Sequence, residues 1–250
     1  MKYAHDQGHI KQPVRLGSTF KRPNKKVMRK HKAAKGKRML GSEELRACID
    51  AASGQLKALI LLACNGGLGQ SDLSAMDLDV LDLEGGVLDY PRVKTGIQRR
   101  IPMWQETIDA IREWLPMRPV AKDRADENAV FLTPCGQRWV KTNKTGSPAD
   151  ALGPEFAKLL RELKLKRAGV SFYAIRHSFR TVADETRDFS AIDLVMGHSD
   201  NTMGGRYREH IADDRLRTVV GHVRSWLFGS ADEDAKESAD ESRGGLRVVG

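Results

Sequence analysis

A mainly α-helical domain with a small three-stranded antiparallel sheet is the fold class this sequence predicts. Two observations carry it. Apolar residues recur at helical spacing in several segments of residues 41–229. Between residues 78 and 103 that period gives way to short extended runs separated by glycine turns. With 250 residues, 40% hydrophobic and 30% charged, the chain is long enough for one large domain or two small ones.

The elements follow in order. Ser42 is placed to cap a helix, with Glu43 and Glu44 in the first turn, where the helix dipole favours acids. Leu45, Cys48, Ile49 and Ala52 form its apolar stripe, and Ser53-Gly54 breaks it. Residues 55–64 are apolar nearly all round, which predicts a central core helix. Val80-Leu81, Val87–Tyr90 and Gln98–Met103 read as three strands, with turns at Glu84-Gly85-Gly86 and Thr95-Gly96 and with Lys94 beside the second turn. Residues 104–115 return to helix through Ile108, Ile111 and Leu115, and the proline-rich stretch 116–149 reads as loop. Helices are then expected over 154–166, 172–187, 190–197, 200–208 and 213–228. The last carries the stripe Leu216, Val219, Val220, Val223 and Leu227.

Charge divides the chain differently. Residues 1–38 hold 13 Lys and Arg against the single acid Asp6, whereas residues 231–242 hold six acids and one Lys. The expected organisation is a basic, flexible arm over 1–40, a domain over 41–229 and an acidic, disordered tail over 230–250. An arm of this density suits nucleic acid, because each phosphate contact releases counterions. Lys21, Arg22, Lys25, Lys26, Arg29 and Lys30 are its candidate DNA contacts; a solvated leader is the plainer reading. No apolar run is long enough for a membrane span, and the first residues lack the apolar stretch of a secretory signal, so no membrane partner and a cytoplasmic location are expected. Cys48, Cys64 and Cys135 lack metal-ligand spacing and each reads as a small buried hydrophobe.

Nucleotide-binding glycine loops, HExxH and GxSxG are absent. What remains is a carboxyl-terminal constellation: Tyr173-Ala-Ile-Arg176-His177-Ser178, Met196-Gly197-His198-Ser199, and Arg206-Tyr207-Arg208. Taken singly, Arg176 fits an ion pair, His177 a surface imidazole, His198 a helix-end charge and Tyr207 an amphipathic surface residue. Their joint spacing is what stands out.

That spacing resembles the catalytic domain of tyrosine recombinases, the phage integrase family. The family pattern runs His-x-x-Arg-His-[Ser/Thr], then Leu-Gly-His-Ser, then a nucleophilic tyrosine nine residues after that histidine. Tyr207 lies nine residues after His198 and is one of only four tyrosines in the chain. Tyr90–Met103, YPRVKTGIQRRIPM, resembles the hairpin that carries the family's lysine, at Lys94. The likeness covers roughly residues 40–228.

The resemblance implies DNA integration or site-specific recombination through a 3′-phosphotyrosyl intermediate, with no metal or other cofactor. Tyr207 would be the nucleophile, Arg176 and His198 would stabilise the phosphorane, and Lys94 would protonate the leaving 5′-oxygen. His177 would be a supporting residue. The implied partner is double-stranded DNA, on which the chain would assemble as a tetramer, with the 213–228 helix packing onto a neighbouring protomer. In a bacterium the protein would be nucleoid-associated.

Two departures stand against the matches. The family's Gly-Leu-Arg-x-[Ser/Gly]-Glu-Leu box reads Gly67-Leu68-Gly69-Gln70-Ser71-Asp72-Leu73, so Gly69 stands where the first arginine belongs. The first histidine of His-x-x-Arg is Tyr173, which can donate a hydrogen bond but carries no charge at neutral pH. Losing one charge-directed donor typically slows such chemistry about 10²–10³-fold. Arg99, Arg100, Arg180 and Gln70 are candidates to fill the gap. The alternative reading is a catalytically degenerate DNA-binding or regulatory protein of the same fold; a fragment of a longer integrase is a third.

Overall fold

The computed structural model describes residues 2–14, 17, 21, 23–34, 36, 38–142, 148–198 and 210–229. The chain divides into two units, residues 1–37 and residues 38–250. In the first, expected as a flexible arm, two helices occur: α1 (Lys2–Asp6) and α2 (Lys25–Ala34). Asn24 supplies the start signal of α2, its side-chain oxygen accepting from the Val27 amide at 2.9 Å. Lys25, Lys26, Arg29 and Lys30 are exposed along it, as is Lys21 before it, while Arg22 lies outside the described residues.

The second unit opens on α3 (Ser42–Ala51). Its cap is Gly41, not Ser42: the Glu44 carboxylate reaches back to the Gly41 amide at 2.9 Å, so Ser42 becomes the first helical residue. Helix α4 (Gly54–Gly66) is buried along most of its length, as its uniform apolarity requires. It ends where Gly67 turns into the left-handed region, at φ 62°. A Cβ there would stand 2.8 Å from the Phe179 ring, so only glycine fits. A short helix, α5 (Gln70–Ser74), follows.

Strands β1 (Leu81–Asp82), β2 (Val87–Asp89) and β3 (Arg100–Pro102) form the expected antiparallel sheet, with Leu81 opposite Leu88 and Leu88 opposite Ile101. Beyond the strands the β2–β3 hairpin continues through Tyr90 N to Arg99 O (3.1 Å) and Arg92 N to Ile97 O (2.8 Å), which carries the chain into a turn at residues 92–96, the hairpin's tip. Helix α6 (Gln105–Trp114) packs on α4, and buried Asn65 joins them, donating to Pro102 O and accepting from Trp104 N.

The stretch 116–149 departs from its reading as loop. It contains 3₁₀ turns at 115–117 and 124–126, and β4 (Val140–Thr142) pairs antiparallel with β5 (Pro148–Asp150). Proline is tolerated as the first residue of a strand, so Pro148 does not forbid the pairing. Cys135 in this stretch is exposed, a correction to its reading as a buried hydrophobe; Cys48 and Cys64 are buried.

Helices α7 (Leu152–Glu162), α8 (Tyr173–Ala183), α9 (Phe189–Met196) and α10 (Asp213–Phe228) complete the unit. The α7 helix starts two residues before Pro154, and α8 gives way to a 3₁₀ turn at 184–186. The α10 stripe, expected on a neighbouring protomer, is buried within its own unit against α3, α4 and α8. Trp104 clamps it there by donating its indole N–H to Val220 O at 2.9 Å. Among the described residues no helix is long and apolar enough to cross a membrane.

Candidate active site

Four segments distant in sequence converge at one end of this core. They are the α4–α5 turn, the β2–β3 tip, the first turn of α8 and the end of α9. Gly69, Gln70, Ser71, Asp72, Arg92, Val93, Lys94, Tyr173 and Arg176, from the first three of these, line a cavity of about 410 Å³.

Arg176 is one turn into α8 and 4% exposed. It donates to Gly67 O, to Met196 O at 3.1 Å and to His198 Nε2 at 2.7 Å. The two carbonyls belong to the carboxyl-terminal ends of α4 and α9, where unsatisfied acceptors and the helix dipole favour a cation. Burial, and then the positive charge of nearby Arg92, push the Arg176 pKa down. Guanidinium remains a cation at neutral pH regardless.

His198 follows from the same contact. A guanidinium can only donate, so Nε2 is the acceptor and the ring proton sits on Nδ1, which faces Asp193 Oδ1 at 3.3 Å. The imidazole is therefore neutral here. Burial and the Arg176 charge hold its pKa below the usual histidine value.

The Arg-His-Ser run distributes its side chains over three tasks. Arg176 points into the site, and His177 is exposed with its ring edge-on to Tyr173 (centroids 5.2 Å apart, 84°). Ser178 is buried and clasps the backbone of Leu40, accepting from its N at 3.0 Å and donating to its O at 2.8 Å. Tyr173 opens α8 half-exposed at the cavity mouth, and Lys94 is exposed at the hairpin tip.

Gly69 caps α5 in extended backbone (φ −93°, ψ 167°). A Cβ would meet only Asp72 Oδ2, at an ordinary 3.5 Å, so neither strain nor crowding explains the glycine. Asp72 ties this turn to the hairpin: it accepts from Gly69 N at 3.2 Å, Val93 N at 3.4 Å and Arg99 Nη2 at 3.3 Å. That role was not legible beforehand.

Of the candidates for the missing arginine, three are engaged by carboxylates. Arg99 is buried against Asp72, Arg100 pairs with Asp89 and bidentately with Asp213, and Arg180 pairs with Asp184 and Asp193. Gln70 lines the cavity but donates to Asp150 at 2.6 Å. Arg92, which the sequence reading passed over, does line the cavity. It stands two residues before Lys94, but the chain turns at residues 93–95, so no strand alternation links the two and no local pattern singles it out. Tyr207 and its neighbours Arg206 and Arg208 lie outside the described residues, as do the expected 200–208 helix and the 230–250 tail.

Known proteins share this architecture. Tyrosine recombinase XerC of Pseudomonas syringae pv. tomato is 28% identical over 187 residues, which is 71% of this chain and 56% of that protein. XerC of Pseudomonas entomophila is 30% identical over 145 residues, 58% and 44% of the two chains. This chain thus spans about half the length of the curated relatives it matches. Among solved structures, XerA recombinase superposes with a TM-score of 0.54 at 18% identity, covering 74% of this chain and 65% of that one. The integrase from mycobacterium phage Brujita gives 0.53 at 15% identity, covering 89% and 67%. The Tn1549 transposon integrase, solved with a circular intermediate DNA, gives 0.52 at 22%, covering 73% and 64%. These three likenesses are of fold. The model of the phage integrase family matches residues 38–213, a span that holds the α4–α5 turn, the hairpin, α8 and α9 that converge at the site. By that match, and with the tyrosine-recombinase catalytic fold, the chain belongs to the phage integrase family.

Proposed function

We propose that this protein is a DNA strand-exchange enzyme acting in integration or site-specific recombination, with Tyr207 as its nucleophile. The observation that carries the reading is Arg176, a buried guanidinium held by backbone carbonyls and a neutral imidazole, with no carboxylate among its described partners, opening onto a cavity beside Lys94. A buried cation with no carboxylate in direct contact is suited to receive an anion.

In the proposed reaction the Tyr207 oxygen bonds to the scissile phosphorus and releases its proton to solvent. The bond from phosphorus to the 5′-oxygen breaks, and Lys94 passes a proton to that oxygen. A 3′-phosphotyrosyl link remains, which a second 5′-hydroxyl reverses. Arg176 answers the charge gathering on the nonbridging oxygens, and its fork geometry favours two of them. As a phosphate arrives it competes with His198 Nε2 for the Arg176 N–H groups and raises the proton affinity of the ring, so His198 becomes a second donor. Duplex DNA is the substrate, and a tetramer assembled on it follows from the four strand cuts a full exchange requires. The basic residues of α2 add further phosphate contacts.

Gly69 and Tyr173 favour a second reading, a protein that binds DNA through this fold without cutting it. The two separate experimentally. Nicked duplexes prepared from genomic DNA of the source organism, incubated with the full chain and quenched with detergent, should yield covalent adducts with wild type and none with Tyr207→Phe. DNA binding without adducts would establish the binding reading instead.

A further inference from the structure

Gly69 leaves one side of the cavity without the guanidinium that a charge-gathering phosphate calls for, and the structure offers a different one. We infer that Arg92, at the tip of the β2–β3 hairpin, is the second arginine of the phosphate site. This inference deepens the strand-exchange reading and rests on it.

Three observations place Arg92 there. It lines the same cavity as Arg176, Lys94 and Gly69. Its Nη1 donates to Gly197 O at 3.3 Å, the carbonyl immediately before His198, and its charge acts on both Arg176 and His198. Among the described residues no carboxylate lies within ion-pair distance of it, whereas Arg99 and Arg100 of the same hairpin and Arg180 of α8 all have one.

Gly197 is what admits it. This residue sits at φ 64°, and a Cβ on it would stand 2.8 Å from the Arg92 Cβ and 2.7 Å from the Arg99 Cδ. The glycine thus lets the hairpin lie flat against the end of α9, with the arginine stems over the backbone that leads to His198. Asp72 is the carboxylate that lines this cavity and acts on Arg176, but its ion pair is with Arg99. Two converging cations repel one another unless a further anion is shared between them. A phosphodiester supplies that anion, with one nonbridging oxygen for each arginine. The guanidinium comes from the hairpin instead of the α4–α5 turn, which is why Gly69 needs no side chain.

The test has two arms, both on the full chain. In the first, inorganic phosphate is titrated while the His198 ring is followed by NMR. Wild type should bind saturably, Arg92→Gln at least about tenfold more weakly, and Arg92→Lys in between, since it keeps the charge but loses the fork. Equal affinity in wild type and Arg92→Gln would overturn the inference. The second arm measures adduct formation on duplexes recovered from the trapping experiment. With an ordinary phosphodiester Arg92→Gln should react about 10²–10³-fold more slowly. With a methylphosphonate at the cleaved position, which removes the nonbridging charge, the two proteins should differ by only a few fold. A merely structural role for Arg92 would slow both substrates alike, and that result would also overturn it. If phosphate binding follows expectation but wild type forms no adduct on any duplex, Arg92 stands as part of an anion site and the strand-exchange reading falls.

Discussion

Arg176 and Arg99 are both buried, at 4% and 1% exposure, and they solve that problem in opposite ways. Arg99 has a counter-ion in Asp72, a donor contact to Tyr90 O at 3.0 Å and the Tyr90 ring 4.8 Å beneath its guanidinium. Arg176 has carbonyls and an imidazole. Both sit within one small region, so the difference is not one of surroundings but of what is left over. The Arg99 charge is neutralised and serves to lock the base of the hairpin onto the α4–α5 turn. The Arg176 charge is held in place without being cancelled, so it is available to a ligand.

The hardest way to break this contrast is to make Arg99 resemble Arg176. Asp72→Ala removes the carboxylate and leaves a buried, uncompensated guanidinium, and it also releases the amides of Gly69 and Val93. Stability should fall by about 3–5 kcal/mol, measured by urea unfolding. A loss below about 1 kcal/mol would mean that the Tyr90 carbonyl and the Pro91 carbonyl, which accepts from Arg99 Nη2 at 3.5 Å, suffice for Arg99, and the two arginines would not differ in kind.

Arg176→Met should have a smaller effect, about 1–3 kcal/mol, because it removes a charge that had no partner charge to abandon. What it strands are the acceptors Gly67 O and Met196 O. The same variant should lose phosphate binding and adduct formation altogether. If it were as destabilising as Asp72→Ala, Arg176 would be chiefly a structural cation.

The smallest effect is on pH dependence. The folded His198 pKa lies below its unfolded value near 6.5, so the unfolded chain takes up the proton first on acidification. The stability contribution is therefore complete above pH 6.5 and is lost as pH falls through the folded value. His198→Gln should flatten that part of the profile, compared by urea midpoints at pH 7.5 and 5.5. Burial contributes most, the Arg176 and Arg92 charges add to it and Asp193 opposes it, so an identical pH profile in His198→Gln would show that the ring does not report its folded surroundings.

Much of this was legible in the sequence because helical period is a local property. The stripe of α3, the all-round apolarity of α4 and the sheet between Leu81 and Pro102 needed only neighbouring residues. The Gly41 cap was not, since the identity of a capping residue depends on which backbone turns first. Nor was the β4–β5 pair, whose three-residue strands are too short to show a period. In the site, spacing singled out Arg176, His198 and Lys94, but it could not sort the other arginines. Arg100 is disposed of by Asp213, 113 residues away, and Arg99 by Asp72, 27 residues away. Pairings of that range are written in the fold. Arg92 was missed for the same reason: what distinguishes it is the counter-ion it lacks.

The Arg176 hydrogen bonds carry a consequence for how the protein comes into being. They join α8 to Gly67, 109 residues earlier, and to Met196 and His198, 20 and 22 residues later. Such contacts form late, since loop closure must be completed before they can hold. A nascent or partly unfolded chain therefore has its basic amino-terminal residues but no assembled pocket around Arg176. Under the strand-exchange proposal, chemistry then waits on tertiary folding, and a copy that has not closed these contacts has no site in which to cut DNA.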